Sequence, residues 1–406
     1  MKDDFHYEVS YLTSLKRFNK KYNYSKLLKF LMKIKEIGTF VIRGNFDWVI
    51  VEIKTNDGLI GLGEAFPSQG VREMIKIIGY RILDEDPTEI NRIFQKMYKY
   101  CQGMGYTYGV SMSAISGIEM ALLDLYGKYY KIPLYKILGG KLRNKIRLYA
   151  DCHAGEGEIL QSYGDHLIKG SFDPEAFARK AEKVKREGYT ALKFDIDLPG
   201  DYYSLTYEEF KLIEKLVDKV RETIGNNVDL ALDCHWRYNL NDALKLAKIL
   251  EPYNILWLED PIPYENVKTM KELKNSVRIP ICTGENLFTR YGFREIIENM
   301  AVDIISPDYQ KAGGILEGKR IAELAEIYYI PVAPHNLCTP IGTVANAHLC
   351  SSLPNFLILE FHSEEVSWWE KLIKETIIEE GYLKIPDGPG LGIELNREEL
   401  EKHLIT

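Results

Sequence analysis

The sequence predicts an α/β fold, in which a barrel of alternating strands and helices follows a smaller α+β domain. From about residue 146 onward, apolar runs of strand length alternate with amphipathic helical stretches. This alternation favours a parallel sheet with right-handed crossovers. Three of the runs end on an acidic residue at intervals of 26 residues, at Asp233, Glu259 and Glu285. Such an interval holds one strand, one helix and two loops, so the three carboxylates are expected side by side at the carboxyl-terminal rim of a barrel.

The α+β domain is predicted over residues 32–134. The runs IKEIGTFVI and WVIVEIKT have strand patterning, and the NDG tripeptide after the second is a hairpin signal. Helices are predicted over PTEINRIFQKMYKYCQ and SAISGIEMALLDLYGKYY, the latter stopped by Gly139 and Gly140. The preceding residues 1–31 are lysine-rich and aromatic. They are either a native extension that packs on the barrel or on a neighbouring subunit, or a stretch upstream of a true start at Met32.

The barrel is predicted over residues 135–365, and residues 366–406 are expected to return to the first domain. Helix starts are indicated at Asp173, which precedes a proline, at Thr206, which has a glutamate three residues later, and at Asn241. Eight strands are expected near residues 146–151, 190–195, 228–233, 255–259, 280–284, 303–307, 330–334 and 356–360.

The composition is that of a globular protein with a large core, 46% hydrophobic and 27% charged, with a net charge of −7. No basic stripe dominates, which argues against nucleic acid as a partner. No apolar run reaches the roughly 18 residues that span a membrane, and the N-terminus lacks a signal-peptide core. The six cysteines form no CxxC pair. We therefore expect reduced thiols, a cytoplasmic protein and no membrane association.

The three acids in register predict a metal site. A single acid at a strand end is more often a helix cap or a solvated loop residue. Three converging carboxylates, however, repel one another strongly unless a cation lies between them. Ligation by oxygen alone favours a hard divalent ion, with Mg2+ the first choice.

Two histidines at the same rim suit proton transfer. His235 lies two residues after Asp233, and residues i and i+2 of a strand point the same way, so His235 is expected beside the metal. His335 ends the run YYIPVAPH, and Asp308 ends the preceding run VDIISPD. On adjacent strands, Asp308 would hold one ring nitrogen of His335 and raise its basicity. Either histidine alone would more often be a core or surface residue with a satisfied hydrogen bond.

Several motifs together resemble the enolase superfamily, in its mandelate racemase-like branch, and most closely the sugar-acid dehydratases. They are LKFD at 192–195, DCH at 233–235, LEDP at 258–261, GEN at 284–286, PDYQKAGG at 307–314, PHN at 334–336 and ILEFH at 358–362. The resemblance implies a modified TIM barrel, (β/α)7β, and an N-terminal α+β capping domain. It places loops of that domain, near 42–47 and 66–70, over the barrel mouth. It also implies an even-numbered homo-oligomer, commonly an octamer.

By the same resemblance, Asp233, Glu259 and Glu285 match the Mg2+ ligands of the family. Lys193 matches the first lysine of a K-x-K motif, which contacts the substrate carboxylate. Glu360 matches a residue that hydrogen-bonds the same carboxylate. The alternative interpretation of Lys193 is a strand-end cation paired with the aspartate two residues later.

That aspartate, Asp195, stands where the family has the second lysine of K-x-K. This lysine is a base in the racemases, so its loss disfavours racemisation with two opposed bases. The base that remains is His335, paired with Asp308. By resemblance to the dehydratases, His235 is the general acid that protonates the leaving 3-hydroxyl, and the two histidines together complete a β-elimination. The two histidine roles are exchangeable, or shared with Tyr149 or Arg237. We expect Asp195, Tyr149 and Arg237 among the substrate-binding residues.

The resemblance therefore implies Mg2+-dependent dehydration of an aldonic acid to a 2-keto-3-deoxy acid. D-arabinonate is the first expectation for the substrate, followed by gluconate or galactonate. Two alternatives remain: a racemase, epimerase or cycloisomerase of the same superfamily, or a barrel that binds a metal and sugar acids without turnover.

Overall fold

The computed structural model describes residues 32–153, 172–198, 204–362 and 366–405. The first part is an antiparallel sheet, β1-β2-β3, covered by helices. The NDG turn joins β2 to β3, as predicted. The elements are β1 (Ile34–Arg43), β2 (Asp47–Thr55), β3 (Ile60–Ala65), α1 (Val71–Gly79), the 3-10 turn Tyr80–Ile82, α2 (Ile90–Gly103), α3 (Val110–Tyr130) and α4 (Leu134–Ile137).

The second part is the predicted alternation of parallel strands and helices, in the order β4-β5-β6-β7-β8-β9 with β10 beside β4. Its elements are β4 (Lys145–Asp151), α5 (Pro174–Arg186), β5 (Ala191–Asp195), α6 (Tyr207–Ile224), β6 (Asp229–Asp233), α7 (Leu240–Leu250), the 3-10 turn Glu251–Tyr253, β7 (Leu258–Glu259), α8 (Val267–Ser276), β8 (Ile281–Thr283), α9 (Thr289–Glu298), β9 (Ile304–Ile305), α10 (Ile315–Ile327), α11 (Pro340–Ser352) and β10 (Leu359–Phe361).

One apolar layer fills the barrel interior, with a residue from each of the eight strand positions. Its members are Tyr149, Ala191, Ala231, Trp257, Cys282, Ile304, Ala333 and Ile358, all buried. They form a cluster separate from the larger core between the barrel and its helices. The layer supports the rim above it, where the strands end.

Three predicted boundaries were wrong. The expected strand at 330–334 is reduced to single bridges of Val332 to Ile305 and Phe356. Prolines at both sides of Val332 lack the N–H that a ladder needs. Helix α7 is capped by Asn239, whose side chain accepts from the Asp242 N–H, and not by Asn241.

The third wrong boundary concerns Gly139 and Gly140. They follow the short helix α4, whereas α3 already ends at Tyr130, where Lys131 takes a left-handed conformation. The predicted starts at Asp173 and Thr206 are confirmed, the latter as a complete capping box. All six cysteines are buried free thiols.

Two carboxylates of the first domain cap helices of the barrel. Glu64 on β3 accepts from the backbone N–H groups of Thr339 (2.9 Å) and Gly342 (3.0 Å), at the start of α11. Glu119 on α3 accepts from Ile315 (2.8 Å) and Leu316 (3.0 Å), the first residues of α10. These four donors have no partner within their own helix.

The end of the chain contacts both parts of the fold. A final hairpin pairs antiparallel with the start of β4, and the Ile405 N–H donates to Val41 O of β1. No helix within the described ranges combines the length and apolarity needed to cross a bilayer. The remaining elements are the 3-10 turn Glu370–Leu372, β11 (Ile378–Glu379), β12 (Tyr382–Lys384) and α12 (Arg397–Lys402).

Candidate active site

The three predicted acids converge at one rim. Sheet register places Asp233 of β6 beside Glu259 of β7, and Glu285 follows β8 by two residues. Oxygen atoms of the three carboxylates lie within 4.8 Å of one another. All three side chains are buried. The arrangement is that of three oxygen ligands on adjacent strands, as the constant interval predicted.

Lys193 lies at the centre of this cluster. Its Nζ is 3.0 Å from Asp233 Oδ2, 3.4 Å from Glu259 Oε2 and 2.8 Å from Glu360 Oε1. Among the described contacts, Lys193 makes no ion pair with Asp195, so the alternative interpretation of Lys193 is wrong. Lys193 thus holds a positive charge where the carboxylates meet.

The negative charge of the cluster exceeds what Lys193 balances. Burial raises the pKa of Glu259 to about 8, with Lys193 opposing that rise and Asp233 adding to it. Oε1 of Glu259 is buried and has no hydrogen-bond partner within the described part of the chain. An orphaned carboxylate oxygen among further carboxylates is the environment that a divalent cation relieves. Asp233, Glu259 and Glu285 therefore fit a hard cation.

His335 and Asp308 form the predicted pair. Nδ1 of His335 lies 2.7 Å from Asp308 Oδ2, and its Nε2 lies 3.3 Å from Glu285 Oε2 and 3.8 Å from Glu360 Oε2. Burial lowers the pKa of His335, but Glu285, Glu360 and Asp308 together raise it to about 9. Because Asp308 fixes Nδ1, Nε2 is the atom that faces the carboxylate cluster.

His235 has a second aspartate partner, which the sequence did not reveal. Its Nδ1 lies 3.3 Å from Asp197 Oδ2, and its Nε2 lies 3.8 Å from Asp233 Oδ2. The strand reasoning that placed His235 was wrong, because β6 ends at Asp233 and His235 is in a left-handed turn with φ of 44°. Burial lowers the pKa of His235, yet Asp233, Asp195 and Asp197 raise it well above its usual value.

The other predicted substrate residues are placed differently. Asp195 is buried at the rim beside Asp233. Arg237 lies further out, 45% exposed, with Nε 3.8 Å from Asp197. Tyr149 is fully buried in the interior layer, where its ring packs edge-on against Trp257. The Lys193 ammonium lies 5.6 Å from the centroid of the Tyr149 ring. The substrate contact expected of Tyr149 stays a prediction.

Comparison with known families decides the membership of the chain. Residues 39–139 match the mandelate racemase / muconate lactonizing enzyme N-terminal domain, and residues 176–400 match the enolase C-terminal domain-like family. The chain belongs to the mandelate racemase / muconate lactonizing enzyme family. Its fold is therefore the modified TIM barrel with an N-terminal capping domain.

Relatives within this family cover nearly the whole chain. A D-xylonate dehydratase of Haloferax volcanii is 38% identical, over 92% of this chain and 89% of the relative. An arabinonate dehydratase of Saccharolobus solfataricus is 33% identical, over 85% and 87%. The crystal structure of a mandelate racemase/muconate lactonizing enzyme-like protein from Rubrobacter xylanophilus superposes with a TM-score of 0.88 at 37% identity, covering 92% of this chain and 98% of that one.

The mouth of this family member holds polar residues that sequence reasoning missed. Asp151 ends β4 as Asp233 ends β6, and its Oδ2 lies 3.7 Å from Lys193 Nζ. His362 follows β10 and lies 3.5 Å from the same oxygen. Both follow apolar runs of strand length, so the signal that identified the metal ligands was present for them too.

The capping domain also reaches the mouth, as the family resemblance implied. Phe66, just after β3, lies over His335 with ring centroids 6.5 Å apart, and the Lys311 ammonium lies 3.9 Å from the Phe66 ring. Lys311 Nζ also donates to Asn286 Oδ1 at 2.9 Å. Residues 44–46, between β1 and β2, approach the opposite side at His362. Both loops therefore contribute walls to the candidate active site.

Proposed function

We propose that this chain catalyses the Mg2+-dependent dehydration of an aldonic acid to a 2-keto-3-deoxy acid. The proposal rests on two histidine–aspartate pairs that face the same carboxylate cluster. His335 with Asp308 borders the cluster beside Glu285, and His235 with Asp197 borders it beside Asp233. A β-elimination needs one base and one acid at a single substrate, and the site provides two suitable groups.

The proposed reaction belongs to the same class as the reactions for which the relatives are named. They are dehydratases of xylonate, gluconate, galactonate and arabinonate. The chain is an enzyme of the same hydro-lyase class, and its substrates are aldonates. The racemase alternative is disfavoured because Asp195, not a lysine, follows Lys193 by two residues. The retained carboxylates, lysine and histidines give no support to a barrel that binds without turnover.

The residues of the chain have distinct tasks in this reaction. Mg2+ bound by Asp233, Glu259 and Glu285 would hold the substrate carboxylate and offset the charge that develops there. Lys193 adds a second positive charge at the same place. Nε2 of His335 takes the proton from carbon 2, and Asp308 stabilises the imidazolium formed. His235 donates a proton to the 3-hydroxyl, which leaves as water, and the resulting enol tautomerises to the 2-keto acid.

Two five-carbon acids are proposed as substrates. D-arabinonate was expected from the sequence, and the 38% identity to a D-xylonate dehydratase adds D-xylonate. The two acids differ in configuration at carbons 2 and 3. Dehydration removes both stereocentres, so both acids give the same 2-keto-3-deoxy product. Product analysis cannot distinguish them, and relative kcat/KM values can.

The proposal is tested by a screen of aldonic and aldaric acids with the purified protein and Mg2+. New 2-keto groups are detected with semicarbazide. We expect a signal with D-xylonate or D-arabinonate that EDTA abolishes and added Mg2+ restores. Silence across the library, with deuterium uptake at carbon 2 of any acid, would instead establish a racemase or epimerase.

Substitution of the two histidines separates their roles. His335→Asn is expected to lower kcat by about 10²–10⁴-fold and to abolish exchange of the carbon-2 proton with D2O, because the base is lost. His235→Asn is expected to lose dehydration by a similar factor and to retain exchange, because only the acid is lost. His403→Asn, on helix α12, is the control. Retained exchange in His335→Asn would show that the base is another residue.

A further inference from the structure

Three amide side chains form a buried chain of hydrogen bonds beside the candidate active site. Gln310 follows β9, Asn336 follows the seventh strand position, and Asn346 lies in α11. Each of them is at most 1% exposed. Nδ2 of Asn346 donates to Asn336 Oδ1 at 2.9 Å, and Nε2 of Gln310 donates to Asn346 Oδ1 at 3.3 Å. Buried amides are costly unless they are paired, so this pairing holds the three side chains in one arrangement.

Asn336 attaches the amide chain to Glu360. Its Nδ2 donates to the Glu360 backbone carbonyl at 2.9 Å, and its backbone N–H donates to Glu360 Oε2 at 2.8 Å. The same Nδ2 donates to Thr343 Oγ1 at 3.1 Å. A carbonyl oxygen only accepts, so Asn336 must present Nδ2 to Glu360 and Oδ1 to Asn346. One residue thereby fixes both the backbone and the carboxyl group of Glu360.

The other end of the amide chain reaches Asp308. Oδ1 of Asp308 accepts from the Gln310 backbone N–H at 2.7 Å, and its Oδ2 lies 2.7 Å from His335 Nδ1. Nε2 of His335 lies 3.8 Å from Glu360 Oε2. The amide chain therefore connects the aspartate at one ring nitrogen of His335 with a carboxyl group on the side of the other ring nitrogen.

The contribution of the amide chain is geometric. Neutral amides do not titrate near pH 7, and the chain ends at Gln310 Oε1, to which no group in the described ranges donates. Release of Glu360 would let its carboxylate close the 3.8 Å gap to His335 Nε2, because a charge-assisted hydrogen bond between the two is strong. The carboxylate would then occupy the nitrogen that has to take the substrate proton.

We propose that Asn336 is a positioning residue that holds Glu360 Oε2 away from His335 Nε2, and that Asn346 and Gln310 hold Asn336. This inference rests on the proposed function, in which His335 Nε2 takes the proton from carbon 2. Asn336 acts on the reaction through Glu360 and does not touch the substrate. Reacting groups tolerate little displacement, since a shift of about 1 Å can lower a rate by about 100-fold.

The test is a double-mutant cycle between Asn336 and Glu360, measured as kcat/KM for dehydration at saturating Mg2+. Asn336→Ala is expected to lower kcat/KM by about tenfold in the otherwise unaltered enzyme, as for one lost hydrogen bond. In Glu360→Ala, the same substitution is expected to lower kcat/KM by less than about threefold, because the carboxyl group that Asn336 positions is absent. Asn346→Ala, which leaves Asn336 in place, is expected to give a smaller loss with the same dependence on Glu360.

A spectroscopic measurement makes the test independent of activity. In protein labelled with 13C at the glutamate carboxyl carbons of the side chains, the Glu360 resonance is identified by its loss in Glu360→Ala. We expect Asn336→Ala to shift this resonance. The matched control is Asn355→Ala, which should change neither the resonance nor kcat/KM. Asn355 precedes β10, and its Nδ2 also donates to two backbone carbonyls, those of Ala322 and Ile330, at 3.0 Å each.

The outcomes separate this inference from the proposed function. If the unaltered enzyme dehydrates no aldonate, the proposed function fails, and the Glu360 resonance still tests the position of the carboxyl group. Equal effects of Asn336→Ala with and without the Glu360 side chain would show that Asn336 does not act through Glu360, and would overturn the inference. An unshifted Glu360 resonance would overturn it as well, and decides alone if Glu360→Ala has no measurable turnover. If Asn336→Ala does not fold, Asn346→Ala is used in both measurements.

Discussion

At the scale of single residues, the site pairs each histidine with its own aspartate. Asp308 orients His335, and Asp197 orients His235. In each pair the aspartate lies at Nδ1, which leaves Nε2 toward the carboxylate cluster. The pairing therefore fixes which nitrogen transfers a proton.

The pKa of His335 is expected to depend on the metal. Without metal, Glu285, Glu360 and Asp308 raise it to about 9 against the opposing effect of burial, so the imidazole is protonated at pH 7. When Glu285 ligates Mg2+, its charge is no longer available to His335, and the pKa should fall by about one unit or more. A base must be neutral, so the metal would also prepare His335 for its task.

This shift is measurable by NMR titration of the imidazole nitrogens in metal-free and Mg2+-saturated protein. His348, buried in helix α11, serves as an internal control whose titration Mg2+ should not change. An unchanged His335 titration in the presence of Mg2+ would contradict ligation by Glu285.

The sequence identified most of the site residues at strand ends, but it missed Asp151 and His362, which also lie at strand ends. Asp233, Glu259, Asp308 and His335 were found because each closes an apolar run. His235 was found by strand reasoning that the structure contradicts, because it lies beyond the strand end in a left-handed turn with φ of 44°. No periodic pattern extends into such a turn, so its side-chain direction follows from tertiary structure alone.

At the scale of elements, capping signals predicted helix starts better than apolar patterns predicted short strands. The strands β7 and β9 have two residues each, and the seventh position consists only of the bridges from Val332 to Ile305 and Phe356. Ladder hydrogen bonds and flanking prolines decide such boundaries. The helix α10, by contrast, begins at Ile315 after Gly314, which offers no side-chain cap. Its cap is Glu119, 196 residues earlier in the chain, which no local signal indicates.

Removal of that cap should destabilise the protein. Glu119→Ala leaves the buried N–H group of Ile315 and the partly buried N–H group of Leu316 without their acceptor, which costs roughly 2–4 kcal/mol in the free energy of unfolding. Glu119→Gln retains one oxygen and should cost less. Urea unfolding measures both, with Glu222→Ala at an exposed position of α6 as the control, expected within about 0.5 kcal/mol of the unaltered protein. Equal stability of Glu119→Ala and the control would show that the cap contributes nothing.

At the scale of the whole molecule, the two-part architecture was predictable because it depends on long periodic patterns. Small errors in element boundaries do not change the alternation of strands and helices, the hairpin signal or the 26-residue interval. Contacts between the parts were not predictable, since Glu64 and Thr339 are 275 residues apart in sequence. The cytoplasmic location and the even-numbered homo-oligomer stay predictions.

A buried histidine between the parts should make stability depend on pH. His348 donates through Nε2 to Leu391 O at 3.0 Å and stacks on Tyr135. Burial lowers its pKa to about 4 from 6.5. The folded state thus binds this proton less readily than the unfolded chain. The neutral His348 imidazole therefore gives its full contribution to the free energy of unfolding above pH 6.5. This contribution is lost as the pH falls toward 4, by up to about 3 kcal/mol.

The measurement is the free energy of unfolding of metal-free protein between pH 7 and pH 4. In His348→Gln, which keeps a donor for Leu391 O, the loss of stability over this range should be smaller by about 3 kcal/mol. His403→Gln should follow the unaltered protein. Parallel pH profiles for the unaltered protein and His348→Gln would refute the assignment.

Glu64 and Glu119 of the first domain cap helices of the barrel, and this limits how new substrate specificities can arise by domain exchange. Exchange of capping domains between relatives is a direct way to change the loops over the mouth. In this chain, a transplanted domain must supply acidic side chains at the positions of Glu64 and Glu119, or α11 and α10 lose their caps. Recombination at the domain boundary is therefore constrained by two residues whose carboxylates bind helix N–H groups, and successful chimeras are expected to inherit both.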